Sequence, residues 1–367
     1  MSFRILKRRI FSDALEVEVA DQCNLACRAC SHLSPVAPNK ILDVSELERD
    51  LSVLATCLHA SLFRLVGGEP LLHPQLSEVA RVVRASGIAD KIVLLTNGLL
   101  LNRAPGQLWD TLDRVEIYVY PGREARQSDL ERLRRASASR KLEVAVKRIQ
   151  VFRESYSELP FEDTKLVQRI YNTCRMSYAV GCCAVHHGYF YRCAQAHAIP
   201  ARAGKPPVWK AEADGVKLDN PDTLFERLSA YLANPSPLLA CRHCLGTAGK
   251  LFRHEQVPRA EWRNRQRVGP QELIDRGALF CEEHMGRVGI FFHRLVDPST
   301  DPTIQLQAET YRSWGAMIRF SRKVWLVKGV PVRLFYAMRT VCRVAVRLFS
   351  RVVALRSSAS VRKAQQV

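Results

Sequence analysis

The 367-residue chain lacks any long apolar run: charge interrupts every stretch short of the roughly 18 to 20 residues a membrane-spanning helix needs. Its N-terminus, MSFRILKRRIFSDALEVEV, is broken by charge before the apolar core of a signal peptide can form. Export and membrane insertion are therefore not expected, and the sequence reads as cytoplasmic. Aromatic residues are few, at 8%, yet 47% of side chains are hydrophobic, enough for a sizeable core, so disorder throughout is excluded. Acidic residues are missing altogether from Thr310 onward, where 13 Lys or Arg stand alone. Of the formal +19, residues 1–309 carry 42 minus 36, or +6. A body so weakly basic does not have the positive field of a nucleic-acid binder, and no nucleic-acid partner is expected.

Cysteine is abundant instead, with 12 residues in a large chain without an export signal, a usage that points to metal binding or catalysis rather than a disulfide scaffold. The regular pattern begins with LEVEVA (15–20), alternating as a strand. A helix is expected over 43–60, capped by Asp43 or Ser45, then a strand and Gly loop in SLFRLVGGEP and a helix in PQLSEVARVVRASG. KIVLLTNG, RVEIYVY and LEVAVKRIQ read as further strands, separated by helices in GQLWDTL and DLERLRRASASR. Five β–α repeats imply a parallel sheet with helices outside: an α/β fold, a partial (β/α)6 TIM-type barrel over 1–160. Chemistry then belongs at the C-terminal strand ends. A small Cys-rich domain is expected over 161–260, a connecting segment over 261–309 and a basic helical tail over 310–367.

Cys23, Cys27 and Cys30 form C-x3-C-x2-C directly after the first strand. Three thiolates within eight residues of loop can converge on one four-iron cluster and leave one iron open, where chemistry occurs. The bland alternative is that positions i, i+4 and i+7 share a helix face and pack as small hydrophobes. Placement against a strand end disfavours that.

The triplet resembles the signature of the radical S-adenosylmethionine (SAM) enzymes. Gly67-Gly68-Glu69-Pro70, after the second strand, resembles the segment with which that superfamily holds the SAM amino group: glycines for close backbone approach, Glu69 as a carboxylate for an ammonium. Thr96-Asn97-Gly98, after the third strand, is similarly placed to shape the SAM pocket. The stretch CRACSHLSPVAP also resembles a branch found with sugar and cell-surface polysaccharide biosynthesis. The resemblance implies a SAM-binding 4Fe-4S cluster, cleavage of SAM to a 5'-deoxyadenosyl radical, and a low-potential electron donor such as flavodoxin or ferredoxin.

A second constellation follows: Cys174, then Gly188 and Cys193, and after a gap Cys241-x2-Cys244. Four thiolates close a cluster's coordination, and GYFYRC can form a hairpin that aims Cys193 inward. The pattern resembles the twitch domain, the shortened relative of SPASM, implying one auxiliary 4Fe-4S cluster. A four-cysteine zinc site is the alternative, and Cys182 or Cys183 could replace Cys174 as a ligand. Cys281-x2-His284 is a further candidate pair, while Cys57, expected on a helix, and Cys342 are assigned to packing.

In the tail, Arg339, Arg343, Arg347 and Arg351 make a basic stripe on an otherwise apolar helix. That suits either peripheral contact with an anionic membrane surface or a helix packed on the barrel. The expected activity is hydrogen abstraction from a small polar substrate, a sugar, cyclitol or glycan precursor, in an oxidation or related C–H modification; Arg148 and Arg153 could anchor it. A peptide-modifying maturase is the alternative, disfavoured because only 14 residues precede the first expected strand. A zinc-binding nucleic-acid protein is the third reading, and it leaves GGEP unexplained.

Overall fold

The computed structural model describes residues 3–176, 182–202, 209–263, 268–280 and Glu283. Cys281, His284, Cys342 and the tail 310–367 lie outside the described residues. The chain divides after Ala308, and every described residue belongs to the first unit.

The chain opens with a hairpin, β1 (Phe3–Leu6) and β2 (Arg9–Glu18), turned through Lys7 and Arg8 at φ 47° and 59°, the left-handed pair a tight two-residue turn requires. There follow α1 (Val44–Leu54), β3 (Leu58–Val66), α2 (Leu76–Ser86), β4 (Ala89–Thr96), α3 (Leu108–Thr111), β5 (Arg114–Val119), α4 (Gln127–Ala138) and β6 (Glu143–Arg148). Next come β7 (Val151–Arg153), α5 (Thr164–Thr173), β8 (Cys183–His186), β9 (Tyr189–Tyr191), α6 (Gln195–Arg202), β10 (Val216–Lys217), α7 (Pro221–Ala233), β11 (Leu251–Arg253) and α8 (Arg259–Arg263).

Strands β2 to β6 pair in parallel in chain order, and β8 adds in parallel on the far side of β2. The order β8-β2-β3-β4-β5-β6 is that of a six-stranded cylinder cut between β8 and β6, the partial (β/α)6 barrel the sequence implies. The sheet thus runs on into residues 161–260, with β9 and β10 continuing it antiparallel. LEVAVKRIQ forms β6, and directly after it β7 leaves the barrel to pair with β11.

One large apolar cluster joins the sheet to its helices. Leu15, Val17 and Val19 of β2 and its exit meet Leu47, Leu51 and Leu54 of α1 and Val79 and Val83 of α2. Asp43, rather than Ser45, caps α1, accepting from Ser45 and Glu46 N–H at 2.8 and 3.2 Å, worth about 1 kcal/mol. The helix expected to reach residue 60 ends at Leu54, and Cys57 sits in the turn before β3. Ile10 N–H takes the Cys57 carbonyl at 2.8 Å, so sheet pairing wins over helix propagation; the side chain is still buried, at 4% exposure.

Candidate active site at the C-terminal strand ends

The loop leaving β2 is closed at its neck by an Ala20–Ile41 bridge and by Asp21 N–H on the Lys40 carbonyl at 3.0 Å. It carries Cys27 buried and Cys23 and Cys30 half-buried. Burial pushes Cys23 and Cys27 up to about 12, helped at Cys23 by Glu69 and the neighbouring thiols and at Cys27 by Cys30. Groups so reluctant to ionise alone, gathered with their sulfurs in range of one another, suit a cationic metal group that deprotonates its ligands. N–H donors converge on them: Leu25 N–H lies 3.4 Å from the Cys23 sulfur, and Asn97 Nδ2 3.8 Å from it.

Gly67 and Gly68 have a reason the sequence did not supply. A Cβ on Gly68 would stand 2.2 Å from the Gln22 carbonyl oxygen, and one on Gly67 2.5 Å from that of Ala20. Here Gly68 N–H bonds Ala20 O at 2.8 Å and Glu69 N–H bonds Gln22 O at 3.0 Å. The glycines let two backbones of the protein itself zip together, which holds the root of the cysteine loop against the second strand end. Pro70 begins a short 3-10 turn.

Glu69, expected as a carboxylate for an ammonium, is also held by the protein itself. It is fully buried and accepts from Thr96 Oγ1 at 2.6 Å, Asn97 N–H at 2.8 Å and Leu71 N–H at 3.1 Å. Burial raises its pKa to about 6 against those bonds. Its carboxylate ties the β3 and β4 ends together. Thr96 in turn accepts from Gly98 N–H at 3.0 Å, and Gly98 adopts φ 79° with only 2.6 Å between a hypothetical Cβ and Ile117 Cγ2. Asn97 Nδ2 donates to Asn24 Oδ1 at 2.6 Å, so the third strand end reaches the cysteine loop directly.

Sequence reasoning missed the segment following β11. Arg28 N–H bonds Glu255 O and Val257 N–H bonds Ala26 O, at 3.0 and 2.9 Å, laying 255–257 antiparallel across the cysteine loop. Arg28 adds ion pairs to Glu255 at 2.7 Å and to buried Glu154 at 3.1 Å. Arg259 donates to the Cys23 carbonyl. Nothing in the run HEQVPR signals this, because its meaning depends on partners more than 220 residues away.

The second set is assembled from three places. Cys174 ends α5, Cys193 follows β9, and Cys241 lies in, and Cys244 just after, a 3-10 turn whose first two N–H groups, of Leu239 and Ala240, are held by Asp214 at 2.6 and 2.8 Å. The hairpin aiming Cys193 turns on His187 and Gly188, both at positive φ. Arg192 anchors the adjoining residue to the α7 C-terminus through Asn234 O at 2.5 Å and Ser236 O. Burial dominates the raised pKa of Cys193, Cys241 and Cys244, and Cys174 is felt by all three. Cys183 faces away: it lies in the barrel's helix-side core beside Ser12 and the Arg192 carbonyl. Cys182 lies between, near Glu16 and Arg64 as well as Cys174. One apolar cluster, including Leu33, Tyr156, Tyr191 and Trp262, packs against Cys30 on one side and Cys193, Cys241 and Cys244 on the other.

Among the described residues, no three His, Cys, Asp or Glu side chains are gathered as one metal ion would need. A four-iron cluster takes its thiolates on separate irons, so its ligands need not converge as closely as those of a zinc ion, and two sets of thiols are the donor type it requires.

The sheet face turned from the helices is polar. Glu16 and Glu18 of β2 are buried there, with Arg64 of β3 3.8 Å from Glu16 and His32 Nδ1 2.6 Å from Glu18. Across the sheet, Glu116 of β5 pairs with Lys147 of β6 and accepts from Tyr118 OH at 3.0 Å. Arg148 is exposed, and Arg153 is spent on the Thr247 and Gly249 carbonyls at 2.6 and 2.8 Å.

No protein-family model matches the chain. It is similar to the GTP 3',8-cyclase of Chlorobaculum tepidum, at 29% identity over 159 residues, 40% of this chain and 48% of that one. GTP 3',8-cyclase 1 of Mycobacterium tuberculosis is 37% identical over 119 residues, 30% of this chain and 32% of the relative. The chain thus spans about a third to a half of the curated relatives it matches. Among solved structures, BtrN in complex with AdoMet and 2-DOIA covers 60% of the chain at 15% identity and TM-score 0.34, with 82% of that chain covered. The anSMEcpe structure with bound AdoMet covers 36%, with 42% of its own length, at 20% identity and TM-score 0.29. At those scores the superpositions carry no weight of their own. The motifs on successive strand ends and the aligned relatives point the same way, to an α/β enzyme built around SAM and a 4Fe-4S cluster. Together they support a radical SAM superfamily enzyme.

Proposed function

We propose that Cys23, Cys27 and Cys30 hold the SAM-binding 4Fe-4S cluster, with Gly67–Pro70 and Thr96–Gly98 shaping the SAM site. Cys174, Cys193, Cys241 and Cys244 hold an auxiliary 4Fe-4S cluster, with Cys182 and Cys183 outside it. The reaction is hydrogen abstraction from a small polar substrate, a sugar, cyclitol or glycan precursor, ending in oxidation or a related C–H modification. When bound, SAM and the clusters supply one-electron chemistry that reaches an unactivated carbon and a sink for a second electron. The chain itself binds and orients the substrate and excludes water; a low-potential flavodoxin or ferredoxin supplies the reducing electron.

The observation that carries this reading is the balance of charge on the inner barrel face. Arg64, Arg114 and Lys147 each face a carboxylate, and Glu16, Glu18 and Glu116 match them in number. Such a surface offers paired donors and acceptors to hydroxyl or amino groups, whereas a triphosphate calls for surplus cations. The names of the aligned relatives favour a second reading, chemistry on a guanine nucleotide.

The test is anaerobic reconstitution followed by SAM cleavage in the presence of ring-deuterated aminocyclitols and nucleotide sugars, GTP, or peptides. Deuterium appearing in 5'-deoxyadenosine from a ring carbon is expected. Transfer from GTP or a peptide alone overturns the substrate class.

A further inference from the structure

The amide of Gln256 is held in one orientation. Its Oε1 accepts from Ala26 N–H at 2.8 Å, which a backbone donor requires of the oxygen end. The NH2 end is thereby turned to the Cys27 sulfur, 3.0 Å from Nε2. Its other neighbour, His254 Nε2 at 3.2 Å, belongs to an imidazole that burial keeps toward its neutral, accepting form. His254 is fixed by stacking on Tyr120, centroids 4.6 Å apart, and by an edge contact with Phe152 at 4.7 Å. The backbone is locked too, through the Cys27–Gln256 bridge and the bonds from Arg28 and Val257. So restrained, the NH2 group turns one N–H to the imidazole and the other to that sulfur.

We propose that Gln256 is a positioning residue for the SAM-binding cluster: its N–H···S bond to Cys27 sets the cluster's reduction potential, and its bond to Ala26 keeps the cysteine loop closed. The inference rests on the assignment of Cys23, Cys27 and Cys30 as ligands. A hydrogen bond to a ligating sulfur withdraws electron density from the reduced cluster and raises its potential, and outer partners of metal ligands also slow metal loss.

The experiment uses the full reconstituted chain and two variants. Gln256→Glu keeps the acceptor for Ala26 and removes the N–H donor; Gln256→Leu removes both. Redox titration followed by electron paramagnetic resonance reads the potential of the cluster whose signal changes on SAM addition, and chelator challenge reads iron loss. Both variants are expected to move that potential to more negative values, and Gln256→Leu alone to lose iron roughly ten-fold faster or more. Unchanged potential in Gln256→Glu, with the cluster signal intact, overturns the proposal even if the leucine variant misfolds. A wild-type chain without any SAM-responsive cluster would instead sink the ligand assignment beneath it.

Discussion

The two cysteine sets are built in opposite ways. Cys23, Cys27 and Cys30 sit in one loop whose neck, floor and lid are all backbone pairings, from Ala20–Ile41, Gly68–Ala20 and Cys27–Gln256. Cys174, Cys193, Cys241 and Cys244 come from a helix end, a hairpin exit and a capped turn, and depend on Asp214 and Arg192 to meet. A local set exists as soon as its loop closes, whereas a dispersed one exists only when the whole unit has folded. That difference suits the two roles proposed above, a catalytic site whose open position must be preserved and a closed site that accepts an electron.

The sharpest way to break the comparison is to remove one ligand from each set. Cys27→Ala should abolish SAM cleavage, beyond the roughly 10–100-fold that loss of an outer partner alone costs. Cys193→Ala should keep cleavage within a few-fold while product disappears, and iron should fall from about eight to about four per chain. Iron analysis with a 5'-deoxyadenosine assay reads both. Equal loss of cleavage in the two variants would mean that the sets are not independent.

Gly68→Ala probes the floor of the first site. Its Cβ would press on the Gln22 carbonyl at 2.2 Å, whereas Gly87, at φ 61° after α2, has open space around it. Gly87→Ala therefore costs only the left-handed backbone term of about 1 kcal/mol, and Gly68→Ala about 3 kcal/mol from backbone overpacking, with cluster content reduced in the second alone. Chemical denaturation of both variants, beside the wild type, measures the gap. Equal losses would show that the loop root yields, and that the zipped backbones do not hold the cysteines.

The same contrast explains what was legible in the sequence. Motifs confined to one strand end, C-x3-C-x2-C, GGEP and TNG, could be read because spacing alone brings their atoms together. The parallel barrel could be read because buried strands alternated with amphipathic helices. What could not be read depends on long-range pairing: β8 joining the far side of β2, the pairing of β7 with β11, the strap at 255–257. Glu69 was visible as a residue, but its bonds from Thr96 and Asn97 were not, since only the fold brings the β3 and β4 ends together. Cys57 was given to a helix because its neighbours have helical spacing, and the sheet bond from Ile10 that ends α1 has no local sign.

The smallest expected effect tests that buried carboxylate, on which the β3 and β4 ends of the first site converge. Its folded-state pKa, about 6, lies above the ordinary 4.5, because burial outweighs three accepted hydrogen bonds. The folded chain therefore binds this proton more tightly than the unfolded chain. The resulting stabilisation is complete below pH 4.5 and is lost as pH rises through about 6. A shift of that size corresponds to about 2 kcal/mol. Glu69→Gln keeps a neutral side chain at every pH, and any penalty from its amide facing backbone donors is constant and cancels. The stability difference between wild type and variant should thus move in favour of the variant by about 2 kcal/mol between roughly pH 4.5 and pH 7.5, read by anaerobic denaturation. Parallel pH curves would mean that the bonds from Thr96, Asn97 and Leu71 outweigh burial and keep the carboxylate ionised, making the tie between the two strand ends a charged one throughout.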